Sequence, residues 1–136
     1  MFYSLVLEKD DNDTFLVTCP DLPEVTTFGD TVEEALLMGG RAVEEAVAAR
    51  LAAFGDIPKP TAQTSYRCRV SLQTEMKVKL KWAMDEAGVT RADLVRRLNW
   101  KRPQVDRLFA PRHATRMDQY EQAFLSLDKS PELTFA

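Results

Sequence analysis

The sequence predicts an α+β protein in which a small sheet backed by one helix precedes an all-α segment. Two observations predict this class, and a third bears on its partners. The first part of the chain carries short β-branched runs, helical spacing replaces them from residue 75, and charge is sorted along the chain. Residues 1–60 contain 4 Lys/Arg against 12 Asp/Glu, a net −8, whereas residues 77–116 contain 11 against 4, a net +7. Two oppositely charged segments indicate two partners of opposite charge.

The composition indicates a globular protein of one domain or two small modules. Its 136 residues are 45% hydrophobic and 29% charged. No apolar run approaches the roughly 20 residues that span a bilayer, so we expect no membrane partner. The first residues open a strand pattern with no basic segment before it, which predicts no secretory signal and a cytoplasmic protein. Cys19 and Cys68 lack CxxC spacing, and we expect buried free thiols.

Short β-branched and aromatic runs predict the strands of the first module. Turn formers at residues 9–13 separate the first two runs and make them a hairpin. Thr31 and Glu34 have the spacing of a capping box, and an apolar stripe then runs to Gly55, which predicts one long amphipathic helix. Residues 1–72 are therefore expected to form a βββαβ module. The predicted strands span 2–8, 14–19, 25–28 and 66–72, and the helix spans 32–54.

Helical periodicity from Glu75 onward predicts an all-α module over residues 76–136. Gly88 has the position of a helix C-terminal cap, and Pro103 suits a first helical turn. The expected capping pairs are Thr90 with Asp93 and Thr115 with Asp118. Four helices are expected, with apolar faces that carry Leu80 and Met84, Leu94 and Leu98, Val105 and Leu108, and Tyr120 and Phe124.

The spacing of apolar residues in 91–108 matches a helix-turn-helix. Two short helices that cross closely need small or apolar residues at fixed positions and a left-handed residue in the turn. The matching residues are Leu94, Val95, Leu98, Asn99, Trp100, Val105 and Leu108. Val95 stands where Ala is usual, and Asn99 stands where Gly is usual, although Asn tolerates the left-handed conformation best after Gly. Charge, spacing and turn residue together favour DNA binding over a solvated basic face.

The third helix of this module and its lead-in carry the side chains expected to read DNA. Arg can bind guanine and Gln can bind adenine through two hydrogen bonds each in the major groove. The expected base-reading residues are Arg102, Gln104 and Arg107. The expected phosphate contacts, at helix N-termini or in flanking loops, are Thr90, Arg91, Lys101, Arg112, Thr115 and Arg116.

The sequence predicts no enzyme, cofactor or metal site. His113 is the only histidine and no Cys lies near it, so a histidine-based catalytic pair is not expected. No Gly-rich phosphate loop, GxSxG or Walker pattern is present. Asp10, Asp11 and Asp13 cluster at the predicted hairpin tip, where a nuclease metal site is one alternative. Solvated turn carboxylates are favoured, because such metal ligands normally project from strands and Asp favours turns for backbone reasons alone.

The order of modules and several segments resemble HicB-type antitoxins. The opening FYSLVLEKDDNDTFLVTCPDLPEVTTFGDTVEEAL has the hairpin, the proline-bearing aspartate loop and the helix start of that family. The similarity continues in 94–98, 107–109 and 113–118 and so covers nearly the whole chain. The resemblance implies a partial ribonuclease-H-like fold without catalytic function that neutralises a small basic HicA-type toxin, an mRNA-cleaving ribonuclease. It also implies a C-terminal domain that represses its own operon by binding operator double-stranded DNA as a dimer or higher oligomer.

The acidic module offers a physical reason for a basic toxin partner. Its negative charge steers a basic, RNA-gripping protein towards it, while apolar anchors supply the affinity. The loop carboxylates expected to face the toxin are Asp10, Asp11, Asp13, Asp21 and Asp30. The strand-like tail, residues 132–136, favours pairing with a second copy through Leu133 and Phe135. The alternative function is a DNA-binding regulator whose N-terminal module senses a small ligand, although one helix on one small sheet leaves little room for a pocket.

Overall fold

The computed structural model describes residues 1–135. The chain divides into two compact units, unit 1 (Met1–Glu75) and unit 2 (Met76–Ala136). Unit 1 holds a four-stranded antiparallel sheet and one long helix, and the described part of unit 2 is helical. Within residues 1–135, no helix combines the length and apolarity needed to cross a membrane. The predicted combination of a small sheet with several helices is confirmed.

The sheet of unit 1 has β1 in its interior. Its strands are β1 (Phe2–Lys9), β2 (Phe15–Thr18), β3 (Thr26–Gly29) and β4 (Tyr66–Arg69), in the order β3-β2-β1-β4. In the first hairpin Leu7 of β1 lies opposite Val17 of β2. On the other side of β1, Tyr3 lies opposite Cys68 of β4. The hairpin and the third strand, which turn formers and β-branched runs predicted, are confirmed.

Helix α1 (Val32–Ala52) packs on one face of this sheet. The Thr31 hydroxyl accepts a hydrogen bond from the Glu34 backbone N–H at 3.1 Å, so the predicted N-terminal cap is present. The helix ends slightly before its predicted end, and Phe54 adopts a left-handed φ of 50°. Its buried stripe consists of Ala35, Gly39, Val43, Val47 and Leu51.

Two adjacent glycines of α1 differ in their surroundings. A Cβ at Gly39 would lie 2.8 Å from a methyl carbon of Leu5 and 2.8 Å from one of Val17. A Cβ at Gly40 would meet only the Cβ of Cys68, at 3.8 Å. Gly39 therefore sets the close approach of helix and sheet, whereas Gly40 has room for a methyl group.

The predicted last strand of unit 1 is too long. The structure begins helix α2 (Leu72–Ala87) at a residue that the strand prediction included. The Ser71 hydroxyl accepts from the Thr74 backbone N–H at 3.2 Å, and the Ser71 carbonyl accepts from the Glu75 N–H at 2.8 Å. These bonds start a helical turn before helical periodicity becomes visible in the sequence.

The helices of unit 2 follow the predicted order. After α2 come α3 (Arg91–Leu98), α4 (Arg102–Arg107) and α5 (Met117–Leu125). Gly88 follows α2 at φ 65°, and Thr90 with Asp93 forms the capping box of α3. Asn99 is left-handed, with φ 55° and ψ 40°, as the turn pattern predicted. The buried core of this unit includes Leu80, Met84, Leu94, Val105, Leu108, Tyr120 and Ala123.

One prediction for unit 2 is wrong. Thr115 does not cap α5, because the next residue is the N-cap and the Thr115 side chain is buried and bonded inward. Residues 131–135 form no strand within this single chain, and the predicted pairing of the tail with a second copy stays a prediction. Leu133 and Phe135 are 74% and 91% exposed. The final residue of the predicted tail strand, Ala136, lies outside the described residues.

Candidate nucleic-acid interface and acidic surface

Six cations surround the turn between α3 and α4 and the segment after α4. We call them the basic surface, which consists of Arg91, Lys101, Arg102, Arg107, Arg112 and Arg116. Carboxylates bind three of these cations. Asp106 lies 2.9 Å from Arg102 and 3.4 Å from Arg91, and Asp118 lies 3.1 Å from Arg116. These exposed pairs contribute about 0–1 kcal/mol each to stability, so a phosphate can compete for the cation.

The other three cations of the basic surface are available to a ligand. Lys101, Arg107 and Arg112 are exposed and make no ion pair with any residue between 1 and 135. Arg107 is the last residue of α4, is exposed, and has no carboxylate partner among residues 1–135 that a ligand would have to displace. Arg107 is therefore the best placed of the three predicted base-reading residues.

The Gln104 side chain is partly committed to the structure of α4. Its Oε1 accepts a hydrogen bond from the Lys101 backbone N–H at 2.9 Å, which satisfies a free donor at the start of the helix. Reading adenine through two bonds needs both the side-chain oxygen and the side-chain nitrogen. In this conformation Gln104 offers only its amide N–H groups.

A concavity of about 210 Å³ brings together residues from α4, α5 and the segment between them. It gathers three of the predicted DNA contacts, Gln104, Arg107 and Arg116, beside His113 and Gln119. All five side chains can donate hydrogen bonds, since His113 donates from at least one ring nitrogen. The concavity is a polar, cation-rich recess suited to an anionic ligand.

The two threonines predicted as phosphate contacts differ in accessibility. The Thr90 side chain is exposed, but its hydroxyl accepts from the Asp93 backbone N–H at 3.1 Å and bonds the Asp93 carboxylate, so a phosphate must compete with that carboxylate for it. The backbone and side-chain hydrogen bonds with Thr90 hold the pKa of Asp93 below its usual range. The Thr115 side chain, by contrast, is only 4% exposed, so it is not available to a phosphate.

A buried lysine lies behind the end of α4. The Lys77 ammonium donates to the Arg107 carbonyl at 3.2 Å and to the Thr115 hydroxyl at 2.9 Å. It also lies 5.4 Å from the ring centroid of Tyr120, within cation–π range. The residue is fully buried, and burial lowers the pKa of Lys77 from 10.5 to about 8.

In unit 1, the hairpin turn holds three of the predicted toxin-facing carboxylates. Asp10 accepts from the Asn12 backbone N–H at 2.9 Å and from the Thr14 hydroxyl at 3.0 Å, which shapes the turn. Asp13 is left-handed at φ 59°, and its carboxylate lies 3.5 Å from Lys9. Asp11 and, after β3, Asp30 are exposed. These residues present negative charge to solvent on turns.

Asp21 has a structural role that the sequence, which placed it among the toxin-facing carboxylates, did not predict. Its carboxylate accepts from the Thr61 N–H at 2.9 Å, the Thr61 hydroxyl at 2.8 Å and the Ala62 N–H at 3.0 Å. Burial raises the pKa of Asp21, but these hydrogen bonds together outweigh burial and lower it. Asp21 therefore anchors the segment before β4, and its charge is less available to a partner than that of Asp11 or Asp30.

The two alternative functions have little geometric support. No group of three His, Cys, Asp or Glu side chains within the described chain is arranged to hold a metal ion, as a nuclease site would require. An open groove of about 660 Å³ lies between α1 and residues 69–72 in unit 1, with exposed Leu37 and Leu72 on its walls. This groove is mainly apolar and lacks the enclosure typical of a small-ligand pocket.

A family comparison decides the class of the protein. Residues 2–81 match the family model described as HicB_like antitoxin of bacterial toxin-antitoxin system. The chain belongs to the HicB-like antitoxin family. The match covers all of unit 1 except Met1, including its acidic loops. As an antitoxin of a toxin–antitoxin system, the protein has a toxin as its implied partner.

Curated relatives extend the similarity through unit 2. The chain is 33% identical to Antitoxin HicB of Pseudomonas fluorescens (strain Pf0-1) over 132 residues, which are 93% of this chain and 88% of the relative. It is 34% identical to Antitoxin HicB 1 of Photorhabdus laumondii subsp. laumondii over 87% of this chain and 76% of the relative. It is 30% identical to Antitoxin HicB of Escherichia coli (strain K12) over 98% of each.

Three features of the antitoxin escaped prediction from sequence. Of the three, only the burial of Lys77 has a signal in the sequence. Lys77 lies three residues before Leu80 and four before Lys81 on α2, which are both buried, so it falls on the buried face of that helix. Gln119 of α5 has no distinguishing sequence context. The bidentate ion pair of Arg50 with Glu24, at 2.7 and 2.9 Å, joins residues far apart in the sequence.

Proposed function

We propose that this antitoxin binds and neutralises a HicA-type toxin, a small basic mRNA-cleaving ribonuclease, and represses its own operon by binding operator double-stranded DNA. Unit 1 provides the toxin-binding surface and unit 2 the DNA-binding surface. The observation that carries the DNA half is the recess at the end of α4, which gathers Gln104, Arg107 and Arg116. Family membership and the negative charge of unit 1 support the toxin half.

Within unit 2, we infer that α3 and α4 form a helix-turn-helix with α4 as the recognition helix. Two observations support this. Asn99, in the turn between the helices, is left-handed, and the apolar positions that a helix-turn-helix buries between its helices are buried here, at Leu94, Val105 and Leu108. Within unit 1, the antiparallel sheet with α1 on one face is consistent with a partial ribonuclease-H-like module. The corresponding domains are residues 1–72 and 76–136.

Arg107 is the primary base reader in this proposal. Arg102 reads a second base once its pair with Asp106 opens, and Gln104 donates from its amide nitrogen. Thr115 is not among the proposed DNA contacts, because its side chain is buried. The phosphate contacts are Thr90, Arg91, Lys101, Arg112 and Arg116.

The toxin surface combines charge with apolar anchors. Asp10, Asp11, Asp13 and Asp30 steer the basic toxin, with Asp21 contributing mainly through the segment it anchors. Phe28, on an exposed position of edge strand β3, and Leu37 of α1 are 52% and 54% exposed and offer apolar contact area. The antitoxin acts as a dimer or higher oligomer in the cytoplasm, with exposed Leu133 and Phe135 as self-association contacts.

The DNA half is tested with the duplex that lies directly upstream of the operon that holds the antitoxin gene, which we call the upstream duplex. We expect the purified chain to bind it about 10³-fold or more tightly than a scrambled duplex of the same composition at physiological salt. Fluorescence anisotropy at matched salt measures both affinities. Equal affinity for the two duplexes would reject sequence-specific repression and leave only charge-driven binding.

A further inference from the structure

Lys77 is buried without an opposite charge. Its side chain is 0% exposed, and it makes no ion pair with any residue in the described chain. Its two hydrogen-bond acceptors are the Arg107 carbonyl and the Thr115 hydroxyl, and the Tyr120 ring lies against it. Burying an ammonium is costly even when it is paired, and apolar residues of similar volume often replace buried charges without loss of stability. Stability alone therefore does not account for a lysine here.

The two acceptors of Lys77 lie at the two ends of one functional segment. The Arg107 carbonyl belongs to the last residue of α4, and Thr115 lies two residues before α5 begins. The segment between them carries Arg112 and His113, and His113 lines the recess together with Arg107. The Lys77 ammonium thus holds both ends of the segment that supplies cations to the proposed DNA surface, and a longer hydrogen bond of 3.4 Å from the Thr115 hydroxyl to the Arg107 carbonyl joins the same two ends directly.

We propose that Lys77 is a positioning residue for DNA reading, which fixes the Arg107 end of α4 against Thr115 and so sets the shape of the recess. This inference rests on the proposed DNA-binding function. Lys77 itself touches no DNA, because its ammonium is enclosed by the acceptors and the Tyr120 ring. Burial lowers the pKa of Lys77 to about 8, because no opposite charge in the described chain offsets the loss of solvation of its ammonium.

The main test replaces Lys77 with methionine, which keeps an unbranched stem and removes the donors. We expect the Tm of Lys77→Met to stay within about 4 °C of wild type or to rise. We expect its affinity for the upstream duplex to fall roughly tenfold, within the range for losing one base contact. The control, Lys79→Met, removes one exposed lysine from the same helix and should keep the preference for the upstream over the scrambled duplex.

Two further measurements separate positioning from direct contact. The logarithm of the DNA affinity falls linearly with the logarithm of the salt concentration. The slope of that line should be the same for Lys77→Met and wild type, whereas Arg112→Ala should reduce its magnitude by about 1, the value for one lost phosphate contact. In a double-mutant cycle, Lys77→Met should lower the affinity for the upstream duplex little further once Arg107 is alanine, because Lys77 acts through Arg107. If Lys77→Met fails to fold, Thr115→Val takes its place, since it removes the acceptor hydroxyl without changing the charge.

The outcomes distinguish this inference from the proposed function. A wild-type chain that does not prefer the upstream duplex overturns both. A wild-type chain with that preference, together with a folded Lys77→Met of unchanged affinity, overturns the role of Lys77 alone. An additive double-mutant cycle also overturns it, because additivity means that Lys77 does not act through Arg107.

Discussion

At the residue scale, the cations of unit 2 differ in their existing partners more than in their exposure. Arg107 and Arg102 are both exposed on α4, but Asp106 holds Arg102 at 2.9 Å whereas Arg107 has no carboxylate partner among residues 1–135. A guanidinium that is already paired must exchange one acceptor for another when it binds a base. Arg107 avoids this exchange and is expected to contribute more to sequence discrimination.

Arg107→Ala should relax sequence choice at one base pair. We expect the variant to lose about 1–3 kcal/mol of binding free energy for the cognate duplex and much less for a duplex changed at that base pair. Only the cognate duplex has the guanine whose two hydrogen bonds with Arg107 are lost. Affinities for duplexes that differ by one base pair measure this. Arg96→Ala is the control, since Arg96 is exposed on α3 and pairs with Asp93. An equal loss on cognate and scrambled DNA would instead make Arg107 a phosphate contact.

At the element scale, the packing of α1 on the sheet depends on one glycine. Gly40→Ala should stabilise the protein by about 1 kcal/mol, because alanine is the better helix former and its methyl has room. Gly39→Ala should lack this gain, because its methyl must displace Leu5 and Val17 at an overpacking cost of about 1–3 kcal/mol. Urea unfolding followed by circular dichroism compares the two variants. Equal stabilisation by both would show that Gly39 does not limit the packing.

The segment before β4 should make unit 1 sensitive to acid. The pKa of Asp21 is lowered in the folded chain, so its stabilisation is present above its unfolded-state pKa, near 4, and is lost as pH falls through the folded value. Asp21→Asn removes this titration, and we expect its Tm to fall less than that of wild type between neutral and acid pH. Asp11→Asn, at an exposed turn, is the control. Equal acid sensitivity of wild type and Asp21→Asn would contradict the anchoring role.

Local signals in the sequence predicted the elements whose cause is local. The hairpin follows from turn formers, the start of α1 from Thr31, and the turn after α3 from Asn99, all of which act on their own backbone. The errors came from competing local signals or from distant partners. Ser71 starts α2 inside an alternating pattern, and Thr115, which has the spacing of a cap, turns inward to Lys77, 38 residues away.

The candidate sites show the same division. The basic surface was predictable because charge and helical phase are properties of the sequence itself. The sequence could not predict which of these cations are already paired, because Asp106, which pairs with Arg91, lies 15 residues away along the chain. The inward role of Asp21 depends on Thr61, 40 residues along the chain, and a list of acidic residues cannot reveal such a partner.

At the scale of the whole molecule, the chain carries opposite charges on two units within a net charge of −3. A net charge of −3 that was spread evenly over the chain would repel DNA. Sorting the charge lets one chain attract a basic protein and a polyanion at separate surfaces. The two functions are therefore expected to be separable by mutation, with Arg107 variants losing operator choice and keeping toxin binding.

The tail is expected to contribute to self-association. Deleting residues 131–136 should lower the mass in solution, because Leu133 and Phe135 are the most exposed large apolar side chains of the described chain. Light scattering at several protein concentrations measures this. The double variant Leu133→Ser, Phe135→Ser, which keeps the chain length, should reproduce the effect. An unchanged mass in both variants would remove the tail from the interface.

In the proposed function, unit 1 neutralises a toxin and unit 2 reads DNA. Growth of cells that express the small reading frame beside the antitoxin gene tests it most directly. We expect arrest when that frame is expressed alone, and restored growth when either wild-type antitoxin or its Arg107→Ala variant is co-expressed. Growth of cells that express the frame without the antitoxin, or arrest that persists with the wild-type chain, would contradict toxin neutralisation. Arrest that persists only with Arg107→Ala would contradict the assignment of the two functions to separate units.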